Sequence, residues 1–236
     1  MIFHDMYVAL KTVIRELLAK GAKNKKAGKL AKEVLIIAVL FGVGFGGFKL
    51  YKYYIHNRET TAQKVLSECL EEYERAAGGM GSWSDVQMAF EMGYEQNSGS
   101  TLAPYFLAYK ADALYEQDKK NEALETLEQA LKNMSPKAEL YGLYNVKLAV
   151  MKLDHETDIV KQEGLKLLEE IAKKDDAGKA GALYYLGMYY WDKNDAEKAK
   201  EYLTQLAAME IKQEGKIPAT KSQYVVAAKE KLEQLN

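Results

Sequence analysis

Proline is scarce in this chain, with three residues in 236, against an average near 5%. Proline breaks helix interiors, so its scarcity beside abundant Ala, Leu, Lys and Glu predicts a mostly helical, all-α chain. Cysteine is scarcer still. A single Cys, Cys69, excludes an intramolecular disulfide and a four-Cys zinc site. Its place on an apolar helix face reads as a buried thiol; an intermolecular disulfide stays open in an oxidising compartment. His4, His56 and His155 are the only histidines. None forms H-x-x-x-H with a Glu, and none lies near Cys69 in sequence. Glu169–Glu170 and Asp175–Asp176 read as solvated helix ends. No enzyme, cofactor or metal is expected. An excess of one charge is also lacking: 33 basic and 34 acidic residues give a net −1. That speaks against a nucleic-acid binder, and 48% apolar residues speak against disorder.

What the chain does have is a polar asymmetry around one apolar run. Residues 34–48 read VLIIAVLFGVGFGGF without a charge. A spanning helix needs about 17–25 apolar residues. Leu30, Ala31, Leu50, Tyr51, Tyr53 and Tyr54 extend the run, and Lys32, Lys49 and Lys52 can snorkel. Tyrosines suit the membrane interface. A single transmembrane helix over 34–54 is expected, with a buried core helix as the alternative. Residues 1–33 hold eight basic and three acidic residues, five of the lysines between 23 and 32. By the positive-inside rule this head stays cytoplasmic and residues 55–236 lie outside. Bulky KLYKYY after the run speaks for an uncleaved signal anchor over a cleaved signal peptide. Gly42, Gly44 and Gly47 match G-x-G-x-x-G, with Glu68 further on. No strand–helix alternation follows, so a dinucleotide site is not expected. Gly42 and Gly46 form G-x-x-x-G, a spacing that suits membrane-helix packing and a homo-oligomer through the span. Within the head, Met6, Leu10, Val13, Ile14, Leu17 and Leu18 recur at helical spacing opposite Lys11, Arg15 and Lys20. Such a helix suits an anionic leaflet or a partner's cytoplasmic surface.

From residue 60 on, apolar positions recur every three or four residues. A first helix is expected over 60–76, ended by Gly78, Gly79 and Gly81, and joined to the span or broken near His56–Asn57. Ser84 with Gln87 reads as a capping box, and Trp83 with Met88 as its staple, for a second helix running toward Gly93. Then the pattern repeats. Ala111, Leu114, Ala123 and Leu127 are spaced 3, 9 and 4, as are Gly187, Tyr190, Ala199 and Leu203. Leu186 and Gly187 open L-G-x-x-Y ahead of D-x-x-K-A. These residues resemble the tetratricopeptide repeat, W-x-x-L-G-x-x-Y then A-x-x-x-F then P. The resemblance implies a tetratricopeptide-repeat-like α-solenoid with repeats over 103–136, 138–174 and 181–211 and a capping helix over 220–235. The middle repeat takes Leu148, Ala149, Gly164, Leu168 and Ile171, with a turn near Asp154–Asp158 about three residues longer than usual. Pro104 opens the first repeat, Pro136 follows it and Pro218 precedes the cap.

In such repeats the first helix of each pair lines a groove that holds protein. That rule places Tyr105, Tyr115, Tyr184, Met188 and Trp191 toward it, side chains that suit extended chain or packing between repeats alike. Members that clamp a C-terminal carboxylate use Lys and Asn where this chain has Ala108 and Asp112, so that clamp is not expected. The layout of basic head, one span, repeats and a tail ending AAKEKLEQL is similar to the ancillary Sec translocon subunit (YfgM-like) family of bitopic inner-membrane proteins. It implies a bacterial inner-membrane protein with a periplasmic repeat domain, a scaffold whose partners are translocon subunits, chaperones or secretory chains. The head is longer and more basic than that family suggests. A cell-envelope or division scaffold, and an organelle-membrane receptor with cytosolic repeats, remain open alternatives.

Overall fold

The computed structural model describes residues 12, 15–16, 25–209 and 223–234; of these, the side chains of 25–32, 34–35, 37–43 and 234 lie outside the description. Most of the head, including its amphipathic pattern, and Pro218 therefore lie outside the described residues, as do the surroundings of Gly42. Among the described residues all regular structure is helical. The helices are α1 (Lys25–Ala77), α2 (Trp83–Asn97), α3 (Ala103–Glu116), α4 (Lys120–Asn133), α5 (Tyr141–Leu153), α6 (Asp158–Ala172), α7 (Lys179–Asp192), α8 (Ala196–Ala207) and α9 (Gln223–Gln234). The chain divides into two units, Met1–Arg58 and Glu59–Asn236.

In the first unit α1 exposes Phe45, Phe48, Leu50, Tyr51, Tyr53 and Tyr54. Lys49 and Lys52 set their ammonium groups 5.2 and 5.0 Å from the Phe45 and Phe48 rings, one turn back on the same face. A Cβ added at Gly46 would meet nothing within 4 Å. Among the described residues no helix is long and apolar enough to cross a membrane. No helix boundary falls at His56–Asn57.

The second unit is built from helices that pack on their sequence neighbours. α2 packs on α3, and each later helix on the next, through α9; α5 also touches α7, and α7 touches α9. The buried side chains form a succession of clusters. Cys69, Val86, Phe90 and Phe106 gather under α1–α3. Leu107, Ala111, Leu127, Leu131 and Leu148 follow under α3–α5. Ala149, Leu168, Ile171 and Leu186 fill α5–α7. Leu183, Leu203, Leu206 and Val225 close the end under α7–α9. Burial of such large side chains removes about 1.5–3 kcal/mol each of exposure cost. Helices α3 and α4 fall within 103–136, α5 and α6 within 138–174, α7 and α8 within 181–211 save for the first two residues of α7, and α9 within 220–235.

Local chemistry explains the turns. Gly79 ends α1 at φ +75°, and Met80 donates back to Arg75. The α3–α4 and α7–α8 turns are alike. Asp118 and Asn194, 76 residues apart, both sit at positive φ, 61° and 59°. One residue on, the Lys119 and Asp195 amides donate to Leu114 and Tyr190 at 3.0 and 2.9 Å. Small residues let the paired helices close. A Cβ at Gly187 would fall 2.7 Å from Leu203, and one at Gly164 would fall 2.6 Å from the Ala149 carbonyl.

Three local expectations need correction. The cap of α2 is Ser82, whose hydroxyl accepts from the Ser84 amide at 3.1 Å. Gln87 instead accepts from Gln117 at 3.0 Å, while Met88 is exposed and Trp83 packs edge-on to Tyr73 at 5.3 Å. Tertiary partners thus claim the residues of the apparent capping box and staple. Helix α2 also passes through Gly93 and ends at Asn97. A glycine is needed at 93 to admit the Phe106 ring, which would stand 2.6 Å from any Cβ there. Finally, the extra residues of the middle pair are not mainly in its turn. The α5–α6 connection, 154–157, exceeds the other two by one residue. The rest extends the start of α6, where Gly164 is the seventh residue while Ala123 and Ala199 are the fourth of α4 and α8.

Candidate functional site

A cavity of about 530 Å³ opens on one side of the second unit. Its walls come from α1 (Tyr73), α3 (Asp112, Tyr115, Glu116), α5 with the residue before it (Leu140, Leu143, Tyr144, Val146, Lys147, Val150, Met151), α7 (Gly181, Tyr185) and α9 (Tyr224). Among the described residues none of α4, α6 or α8 lines it. Helical spacing explains most of the lining on α5: positions 143, 144, 147, 150 and 151 share one face, with Val146 at its edge.

Five tyrosines form much of the surface. Tyr73 is held edge-on by Tyr109 at 5.4 Å, and burial pushes its hydroxyl up to about 12, with Asp112 and Glu116 adding to the effect. Tyr144 packs on Tyr105 at 6.1 Å, and burial again raises it, helped by the Tyr109, Asp112 and Tyr105 side chains. Tyr224 of α9 lies against Tyr184 at 5.3 Å and Tyr185 at 6.3 Å. Tyr115 is anchored at the rim, where its hydroxyl donates to the Asp154 carboxylate. Lys120 donates to the same carboxylate at 2.8 Å. Those two hydrogen bonds, the Lys120 bond foremost, hold Asp154 below the usual carboxylate range, and burial with the Asp154 bond raises Tyr115.

The charged floor is Asp112 with Lys147. Asp112 is 6% exposed, and its Oδ2 accepts from Lys147 Nζ at 2.5 Å. Its other oxygen, Oδ1, is buried and has no hydrogen-bond partner among the described residues. Burial raises the Asp112 carboxyl above its usual value, and Lys147 only partly opposes this. Glu116 stands one turn further along α3, exposed at the cavity wall. Among the described residues no three His, Cys, Asp or Glu side chains gather as a metal site.

Of the side chains expected in a groove, Tyr115 lines this cavity and four do not. Tyr105 is turned against Tyr144. Tyr184 packs on Tyr224, while its neighbour Tyr185 faces the cavity. Met188 is half-buried off the lining, and the Trp191 ring is covered by Lys231 Nζ at 4.8 Å. Successive residues of a helix differ by about 100° in direction. Adjacent residues such as Tyr184 and Tyr185 therefore face different surroundings. Asp112, at one of the two clamp-like groove positions, does line it, while Tyr73, Tyr144, Lys147, Tyr185 and Tyr224 carry no such expectation from the sequence. The available signal was the spacing of Asp112, Tyr115 and Glu116 on one helix face. Ala108, at the other clamp-like position, is fully buried. No family model, no curated protein and no solved structure matches the chain.

Proposed function

We propose that this protein is a membrane-anchored scaffold whose helix pairs form a tetratricopeptide-repeat-like solenoid and hold extended polypeptide in the tyrosine-lined cavity. The observation that carries this reading is the lining itself: the first helices of three successive pairs, α3, α5 and α7, supply most of the wall. Rigid aromatic and aliphatic side chains offer contact area at low entropic cost. The anchor is argued from the sequence: an uninterrupted apolar run preceded by clustered lysines. In this reading the repeat unit stands outside the bacterial inner membrane, and its partners are translocon subunits, chaperones or secretory chains.

Photocrosslinking tests it. A benzoylphenylalanine placed at Tyr185 of the full-length chain in native membranes is expected to capture polypeptide. The same probe at Glu125, exposed on α4 away from the cavity, is expected to capture little. Equal capture from both positions removes the groove reading. Adducts containing division or envelope proteins, with neither translocon subunits nor secretory chains, remove the translocon assignment. Protease access to the repeat unit in spheroplasts but not intact cells is the outcome expected for a periplasmic location.

A further inference from the structure

The cavity presents exposed aliphatic surface. Leu140 and Leu143, just before and within the first turn of α5, are 38% and 42% exposed, and both line it. Large aliphatic side chains at a concave wall favour an apolar occupant, since seating one takes both surfaces out of water. The polar groups beside them have little to give a ligand. Asp112 is withdrawn from the cavity, with one oxygen engaged by Lys147 and the other buried. The Tyr115 hydroxyl is committed to Asp154. A polar side chain entering here would give up its hydration for few partners. Charge is the second feature. With Lys147 held by Asp112, Glu116 is the carboxylate left at the wall. It is exposed, and it has no ion-pair partner among the described residues. A basic residue of a ligand is its complement.

We propose that the cavity selects extended polypeptide carrying an apolar side chain, seated against Leu140, Leu143 and Tyr185, beside a basic residue that faces Glu116. The assignment rests on the groove reading above and names the kind of segment the groove selects. The apolar contact supplies most of the affinity, because each seated aliphatic side chain leaves water. The carboxylate supplies choice between segments, because an exposed ion pair adds little to affinity while like charges are turned away. A polypeptide is favoured over a small amphiphilic cation by the length of the wall. The lining runs from α3 through α5 and α7 to α9, and an extended chain can touch each of these helices while a small molecule reaches only some.

Fluorescence anisotropy with the full-length chain in phosphatidylcholine nanodiscs tests the assignment, with empty nanodiscs as the blank. The probe is a fluorescein-labelled Gly-Ser-Lys-Leu-Leu-Ser-Gly amide. It is compared with one peptide carrying Ser-Ser for Leu-Leu and another carrying Glu for Lys. The leucine peptide is expected to bind at least about tenfold more tightly than the serine peptide. The lysine peptide is expected to bind about threefold more tightly than the glutamate peptide. Glu116→Lys is expected to reverse the order of the lysine and glutamate peptides while the leucine preference stays, a reversal that unfolding cannot produce. If that variant loses all binding, Glu116→Gln decides, and it is expected to bind the lysine and glutamate peptides equally. Equal affinity of the leucine and serine peptides for the wild-type chain overturns the apolar selection and leaves the groove reading standing. A lysine preference that persists in Glu116→Lys or Glu116→Gln overturns the pairing with Glu116. Absence of binding by every peptide overturns the proposal, and the crosslinking result from Tyr185 then decides separately whether the groove holds polypeptide.

Discussion

Gly164 shows how little space separates the helices of a pair. Its missing side chain lets the Ala149 carbonyl approach to 2.6 Å of where a Cβ would stand, with the Leu153 amide nitrogen at 2.9 Å. These are backbone atoms, so the neighbour cannot swing away. In an open helix, Gly→Ala stabilises by about 1 kcal/mol. Here Gly164→Ala is expected to destabilise by about 1–3 kcal/mol through overpacking, measured by urea denaturation of the full chain. A gain in stability would contradict the close approach. Asp112 makes a second residue-scale prediction. Burial raises its folded carboxyl above the usual 3.8, with Lys147 opposing and Glu116 adding. The folded chain therefore holds that proton more tightly than the unfolded chain. Its contribution to stability is complete below the usual value and is lost as pH rises through the raised one. The stability difference between wild type and Asp112→Asn is expected to shift toward wild type as pH falls from 7 to 4. A difference that stays flat over that range would exclude the raised carboxyl. Comparing the two proteins cancels the remaining carboxylates.

At the scale of elements, the turns carry the clearest sequence signal. Asp118 and Asn194 are spaced like Ala123 and Ala199, and both adopt the left-handed conformation that lets the chain reverse between paired helices. Asn and Asp tolerate that region better than other non-glycine residues. Asn194→Ala is expected to cost about 1–2 kcal/mol, and Asn194→Gly to be neutral or stabilising, in thermal or urea melts. The opposite order would mean that the turn does not need a positive φ. Signals of this kind are legible because the residues responsible are neighbours in the chain. The same locality misleads at α2. Ser84 and Gln87 have capping-box spacing, yet Ser82 caps the helix and Gln87 bonds to Gln117, 30 residues away. Gly93 likewise looks like a stop and is a docking point for Phe106. The longer middle pair was visible as a three-residue excess in spacing. The structure places most of the excess at the start of α6, where Ile159 stays exposed.

For the second unit as a whole, burial is distributed along the succession of helices. The cluster under α3–α5 gathers buried residues from three helices, among them Leu107, Leu127 and Leu148. Among the described residues the cluster under α7–α9 gathers fewer, chiefly Leu183, Leu203 and Leu206. Where each element leans mainly on its neighbours, local stability follows local burial. Hydrogen exchange is expected to be slowest in α3–α5 and faster in α8 and α9. Uniform exchange across all of them would instead indicate a single cooperative block. The charge balance divides in the same uneven way. The net −1 of the chain conceals a head with eight basic and three acidic residues, followed after the apolar run by a predominantly acidic remainder. In the proposed membrane setting, that remainder is repelled by an anionic surface while the head is held to one.

The sequence by itself determined the helical class, the positions of the paired helices after residue 100 and the small residues between them. Each follows from periodicity or from spacing within a few turns. Only the tertiary structure decided which side chains meet in the cavity. Asp112 and Lys147 are 35 residues apart, and Tyr73 and Tyr224 come from opposite ends of the described unit. The direction of each side chain depends on small rotations accumulated from helix to helix. That is why Tyr185 faces the cavity and Tyr184 does not, and why the burial of Asp112 beside Lys147 emerges only once its partner helices are in place.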